Sequence, residues 1–246
     1  MRRCLTALLV VGVVSMNTRD AAAQVSAQDL AAYAALNSTP IGALTPVMVS
    51  PGTKGEKSFN SFSGRFSHFS PSGGGDGNNQ FGATFYHQAG MNAAVSGTVG
   101  YLKPGCPAGA TCDGVLMLGG DVHSTLWNNA AAKSSTDLNI NLQGSLGYGH
   151  EKDFSAMSVA VGIPLGMSIE QASKSRIGFF VTPGFGWGRI SASGGGASAS
   201  ESGTRPLVGA GASWTAPAGW GLHLGYQAVV IENGGQNIGL GFSWKM

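Results

Sequence analysis

Charge is scarce in this chain: Asp, Glu, Lys and Arg make up 11% of its 246 residues, under half of the roughly 25% usual in soluble domains. Something other than charge keeps its surface in solvent. Cysteine is also sparse, with three residues, which excludes a disulfide-dense secreted scaffold. Long apolar runs are missing, the longest being the stretch from Leu5 to Met16, shorter than the roughly 20 residues of a transmembrane helix. Helical periodicity is absent beyond about residue 55. Glycine, by contrast, is abundant at 40 residues; at roughly 1 kcal/mol per helix position against Ala it argues against a helical bundle, and no Gly-x-y period marks a collagen.

Residues 1–23 carry a basic start (Arg2, Arg3), the apolar stretch and a small-residue end at Ala21, Ala22 and Ala23, the pattern of a secretory signal peptide. The formal charge of +2 belongs to this leader: removing Arg2, Arg3, Arg19 and Asp20 leaves 11 cations and 11 anions. Net charge therefore points to no nucleic-acid partner. Cys4 lies in the leader, so Cys106 and Cys112, bracketing Pro-Ala-Gly-Ala-Thr, are left to form one loop disulfide in an exported protein. With no His or third Cys near them, a metal site is disfavoured, and no motif calls for a cofactor. Residues 24–58 are expected to hold a short Ala-rich helix over 26–37 and a Pro/Gly linker.

From residue 59 onward the chain alternates with a period of two, the mark of strands with unlike faces. Ile238, Leu240, Phe242, Trp244 and Met246 alternate with Gly239, Gly241, Ser243 and Lys245. Residues 138–149, 157–169, 177–189, 208–214 and 220–230 repeat the theme, and 59–69, 81–88, 93–102 and 115–127 do so more weakly. These ten segments match the roughly 9–11 residues of a transmembrane strand. Their connections alternate in length: those near 70–80, 103–114, 150–154, 191–204 and 232–236 include the longest and hold the Gly/Ser tracts, whereas 88–92, 128–136, 170–176 and 216–219 are shorter. Long outer loops and short periplasmic turns are the rule for outer-membrane barrels. On that topology Trp214, Trp220 and Trp244 form one aromatic girdle and Tyr101, Tyr148 and Trp187 the other. Trp127 falls on the wrong parity unless a bulge intervenes.

In these features the chain resembles the small bacterial outer-membrane β-barrel proteins over residues 59–246. The resemblance implies an all-β, antiparallel up-and-down transmembrane barrel of ten strands, or eight if 59–88 lie outside the wall, housed as a monomer among outer-membrane lipids. It also implies a last strand read by the barrel-assembly machinery, although Lys245-Met246 follows the usual terminal aromatic, here Trp244. A soluble sandwich with an aromatic core is the competing fold, a secreted β-protein the function that goes with it.

The inward polar set expected from parity is Asp121, His123, Asn139, Asn141, Gln143, Arg189, His223, Gln227 and Lys245. Inward glycines such as Gly147, Gly162, Gly184 and Gly225 read as devices for curvature and closure more than as an open lumen. Asp121 and His123 share a strand face at i, i+2, a spacing at which a carboxylate can orient an imidazole for general-base work. An outer-membrane hydrolase is thus the runner-up to a non-enzymatic structural or surface-interaction protein with at most a narrow pore. Their mid-strand position, with no Ser tied to them by spacing, favours a hydrogen-bonded plug. The sequence names no external ligand.

Overall fold

Large apolar residues at every second position, with Gly, Ser or Thr between them, favour pleated strands, and the computed structural model forms one at each such segment. It describes residues 58–70, 77–90, 92–105, 113–129, 135–152, 154–194, 197–230 and 235–246. The expected leader, the helix and linker over 24–57, and the Cys106 and Cys112 pair lie outside the described residues. The strands are β1 (Ser58–Ser70), β2 (Asn78–Ala89), β3 (Ala93–Lys103), β4 (Val115–Asn128), β5 (Thr136–Glu151), β6 (Phe154–Gly162), β7 (Leu165–Glu170), β8 (Arg176–Gly194), β9 (Ala197–Thr215), β10 (Trp220–Val229) and β11 (Gln236–Lys245).

All pairings are antiparallel, and β1 closes on β11 in the register Phe66↔Leu240. Both β6 and β7 lie between β5 and β8, so they are two pieces of one stave and the barrel has ten. Eight is excluded, because β1 and β2 stand in the wall between β11 and β3. The stave breaks at Ile163-Pro164, where proline has no N–H for the ladder. Neighbours still use the free groups: the Ile163 N–H donates to the Pro183 carbonyl at 3.0 Å, and the Pro164 carbonyl accepts from the Asn141 N–H at 2.9 Å. A register shift between Thr125 and Trp127 is the bulge that the parity of Trp127 demands; it sets Trp127 opposite Ile140 on the outer wall.

Residues 191–204 are not a loop: β8 and β9 each run 19 residues and stay paired from Arg176↔Thr215 to Gly194↔Ala197. Their Ser/Ala/Gly tract lacks an apolar face, so alternation is silent there, but each strand satisfies the other's backbone. Since β10 pairs β9 only over Leu207–Thr215, the stretch from Ala197 to Arg205 has a ladder partner on one side alone among the described residues.

The two faces of the wall are inverted relative to a water-soluble protein. Phe66, Leu118, Leu146, Phe185 and Leu240 are exposed on the outside, while Ser61, Gln80, Thr84, Thr182 and Asn237 are buried within. In water such a wall would forgo about 25 cal/mol for every Å² of apolar surface left uncovered; in hydrocarbon it costs nothing, and closure leaves no unpaired sheet edge across the bilayer. Glycine fits the inner face where bulk intrudes: a Cβ on Gly211 would lie 2.5 Å from the Phe180 ring and from the Leu224 carbonyl oxygen. Gly219 turns the β9–β10 connection at a φ of +86°.

At the end that carries the C-terminus, the Arg176 guanidinium donates to Asp137 at 3.0 Å and to Glu170 at 3.1 Å, tying the six-residue β7 to β5 and β8. Charge-assisted bonds of this fork geometry outweigh an exposed pair such as Lys174–Glu170. Arg176→Ala is expected to cost about 1–2 kcal/mol, read as a lower urea midpoint for the barrel in lipid vesicles.

Candidate functional site: the lumen and the barrel rims

The lumen is filled in layers. Toward the β8–β9 hairpin end, Leu102, Val115 and Met117 pack together with Phe154 against them, and Met117 is 0% exposed. Toward the opposite end, Phe59, Tyr86 and Ala94 form a second apolar cluster. The Phe59 and Tyr86 rings stand 6.1 Å apart, and Lys245 Nζ lies 4.6 Å above the Phe59 ring. The charged end of the last strand is thus accommodated inside the lumen, where the ring face attracts a cation.

Between the two clusters the contents are polar. Register places Ser96 beside Asp121 and Ala94 beside His123. Asp121 is 3% exposed; its Oδ2 accepts from Ser96 Oγ and its Oδ1 stands against His123 Nε2. The buried carboxylate thus has the His123 imidazole and the Ser96 hydroxyl as its neighbours, the partners a low-dielectric site requires. Thr84 and Thr98 share a hydrogen bond of 2.7 Å, and His223 Nε2 lies 2.7 Å from Ser243 Oγ. Gln143 is 0% exposed.

Of the polar residues expected inside, Asp121, His123, Gln143, His223 and Gln227 are brought to the lumen face. Asn139 and Asn141 join through a 2.9 Å side-chain bond. Arg189 is the exception: it pairs with Met157, an outer-wall residue, and is itself exposed. It continues the outward row of Phe185 and Trp187 up the strand. Arg65 is the lumen residue that the sequence reading missed, although in Ser63-Gly64-Arg65-Phe66-Ser67 it shares parity with the buried serines and opposes the exposed Phe66.

The aromatic residues gather at two levels. Trp214 and Trp220 meet edge to face at 4.8 Å, Trp220 stacks on Phe242 at 6.3 Å, and Trp244 pairs with Trp220 across the ladder. At the other level Tyr101 and Tyr148 are exposed on the wall, with Tyr148 stacked on His150 at 6.1 Å, and Trp187 lies beside Val159.

Among the described residues, the lumen side chains do not assemble a serine nucleophile. That chemistry needs a hydroxyl bonded to a base which a third group orients. Ser96 is bonded to the carboxylate and not to the imidazole, and His223, which does meet Ser243, has no hydrogen-bond partner at Nδ1.

A closed antiparallel ladder, an apolar outer wall, aromatic residues at two levels and a polar interior define the fold: a ten-stave antiparallel β-barrel of the membrane-spanning type. In architecture it is similar to the attachment invasion locus protein Ail of Yersinia pestis, at 12% identity over 77% of this chain and 97% of that one, with a TM-score of 0.34. It is similar too to the N-terminal β-barrel domain of Pseudomonas aeruginosa OprF, at 9% identity, 78% and 98% coverage and a TM-score of 0.40. Neisserial surface protein A stands at 12% identity, 78% and 98% coverage and a TM-score of 0.36. Likenesses this distant carry no functional argument; the class rests on the chain's own ladder and wall. No protein-family model and no curated protein matches the chain.

Proposed function

We propose that this protein is a sealed, non-enzymatic barrel of the outer membrane that serves the envelope structurally and offers its β8–β9 hairpin to the exterior as an interaction surface. The reading rests on one observation, the packing of the lumen. A water-filled channel keeps its lining accessible, whereas Met117, Gln143 and Thr182 are all 0% exposed, and an apolar cluster stands toward either end. Ten staves enclose little more than their own side chains in any case.

The long connections of such barrels face outward, which sets β8–β9 on the cell surface. Among the described residues, 197–204 of β9 have ladder partners on β8 alone, and such edges are where other chains add strands. Within the membrane the protein acts as a monomer inserted by the barrel-assembly machinery, since closure leaves no edge for a second copy.

The full chain refolded into planar bilayers is expected to carry no stepwise current at protein loads where open barrels do. Reproducible unit conductance steps would overturn the sealed reading and leave a narrow pore in its place.

A further inference from the structure

On the outer wall the solvent changes within two ladder steps. The row Leu146–Val159–Trp187 is apolar. The next, Tyr148–Met157–Arg189–Ser202, already contains a cation. The row above it, His150–Ser155–Ser191–Ser200, is an imidazole and three hydroxyls on four adjacent strands. All these side chains share the outward parity of Tyr148 and Met157, so they face the membrane's outer surface and not the lumen. The change of character coincides with the level of Tyr148 and Trp187, where amphipathic rings mark the boundary between hydrocarbon and headgroups.

A cavity of about 300 Å³ opens at this height, lined by His150, Lys152, Ser155, Arg189, Ser191 and Ser200 among others. Its volume is about ten times the roughly 30 Å³ of a water molecule, room for a phosphate together with part of the sugar or glycerol that bears it. No carboxylate lines it among the described residues. Among the described residues the nearby acids are turned away: Glu151 pairs with Phe154, and Glu201 pairs with Ile190, both on the opposite parity. Arg189 reaches Ser200 Oγ at 3.4 Å, which holds the guanidinium across the hydroxyl row. A planar fork beside Ser hydroxyls matches phosphate oxygens, and Lys152 supplies a second point charge.

We infer that this cavity is a binding site for the phosphorylated headgroup of an outer-leaflet lipid, held by Arg189 and Lys152 with the serine hydroxyls completing the phosphate's hydrogen bonds. Height and orientation select a lipid over a soluble anion: the apolar wall beneath the site, from Tyr148 and Met157 to Leu146 and Val159, is where the acyl chains of the same molecule would run.

The test uses the refolded full chain in phosphatidylcholine nanodiscs, titrated with diphosphorylated lipid A and with the same glycolipid stripped of its phosphates, binding being read by native mass spectrometry. The phosphorylated form is expected to bind at least tenfold more tightly. Lys152→Gln/Arg189→Gln should lose that preference, while Lys174→Gln, a cation removed at the opposite end, should keep it. Heat-modifiable gel mobility reports whether each variant is folded, and Arg189→Lys, which retains the charge, should restore part of the preference if the double variant folds poorly. Equal binding of the two lipids, an undiminished preference in the folded double variant, or displacement of the lipid by equimolar inorganic phosphate would each overturn the assignment.

Discussion

Leu240→Arg is expected to destabilise the folded barrel in bilayers by about 2–4 kcal/mol, the penalty for Arg near the midplane on the lipid face. Leu240 is 59% exposed and sits between Phe66 and Leu224 on the neighbouring strands, with Ile238 and Phe242 above and below it on the same face. It is thus surrounded by apolar side chains yet packed beneath none. In a water-soluble β-protein an exposed leucine replaced by arginine changes stability by no more than about 0.5 kcal/mol, and solubility improves. The sign and size of the effect therefore separate a membrane wall from a soluble sandwich. The measurement is reversible urea unfolding in phosphatidylcholine vesicles, followed by tryptophan emission and by heat-modifiable mobility. A shift below 0.5 kcal/mol would sink the lipid-facing assignment of this stave.

Asp121→Ala is expected to cost about 3–5 kcal/mol in the same assay, the range for removing one partner of a buried charged group. Alanine would take the carboxylate from beside His123 Nε2 and would take from Ser96 the oxygen it donates to. The loss comes mainly from what is left uncompensated and only partly from the bonds themselves. Removing both groups should therefore cost much less: Asp121→Leu combined with His123→Leu is expected to recover most of the stability. Ser96→Ala alone, which deletes one donor, should cost about 1 kcal/mol. If the double variant were as unstable as Asp121→Ala, the pairing of His123 with Asp121 would be refuted.

Much of this architecture is written in a two-residue period. Alternation from Ile238 to Met246, and again over 138–149 and 220–230, decides which side chains face hydrocarbon, because successive residues of a strand point to opposite faces. The misplaced parity of Trp127 even announces the bulge that the ladder contains. Parity likewise assigns Asp121, His123, Gln143 and His223 to the lumen. Arg189 shares the outward parity of Phe185 and Trp187 and continues their row past the point where lipid gives way to headgroup and water, which is why a cation stands there. Arg65 was legible by the same rule and was overlooked because its strand, rich in Ser and Phe, is a weak alternator.

Other features depended on contacts between segments far apart in sequence. Nothing in Ala197 to Arg205 signals a strand, since its Ser, Ala and Gly bury nothing. It becomes one because β8 lies alongside and satisfies its backbone. The split of one stave at Ile163-Pro164 is tolerable because Asn141 and Pro183, on β5 and β8, take up the groups that proline frees. The lumen's apolar packing depends on Met117 meeting Leu102 and Phe154, and on Phe59 meeting Tyr86, and the rim cavity on four strands bringing one imidazole and three hydroxyls into one row. By itself the sequence determined the solvent of each face, because burial alternates locally along every strand; that the staves number ten and not eight was decided by β1 and β2 pairing into the wall. What fills the lumen and what gathers at the rim was decided only by barrel closure, because register and shear set which side chains from distant strands share a level.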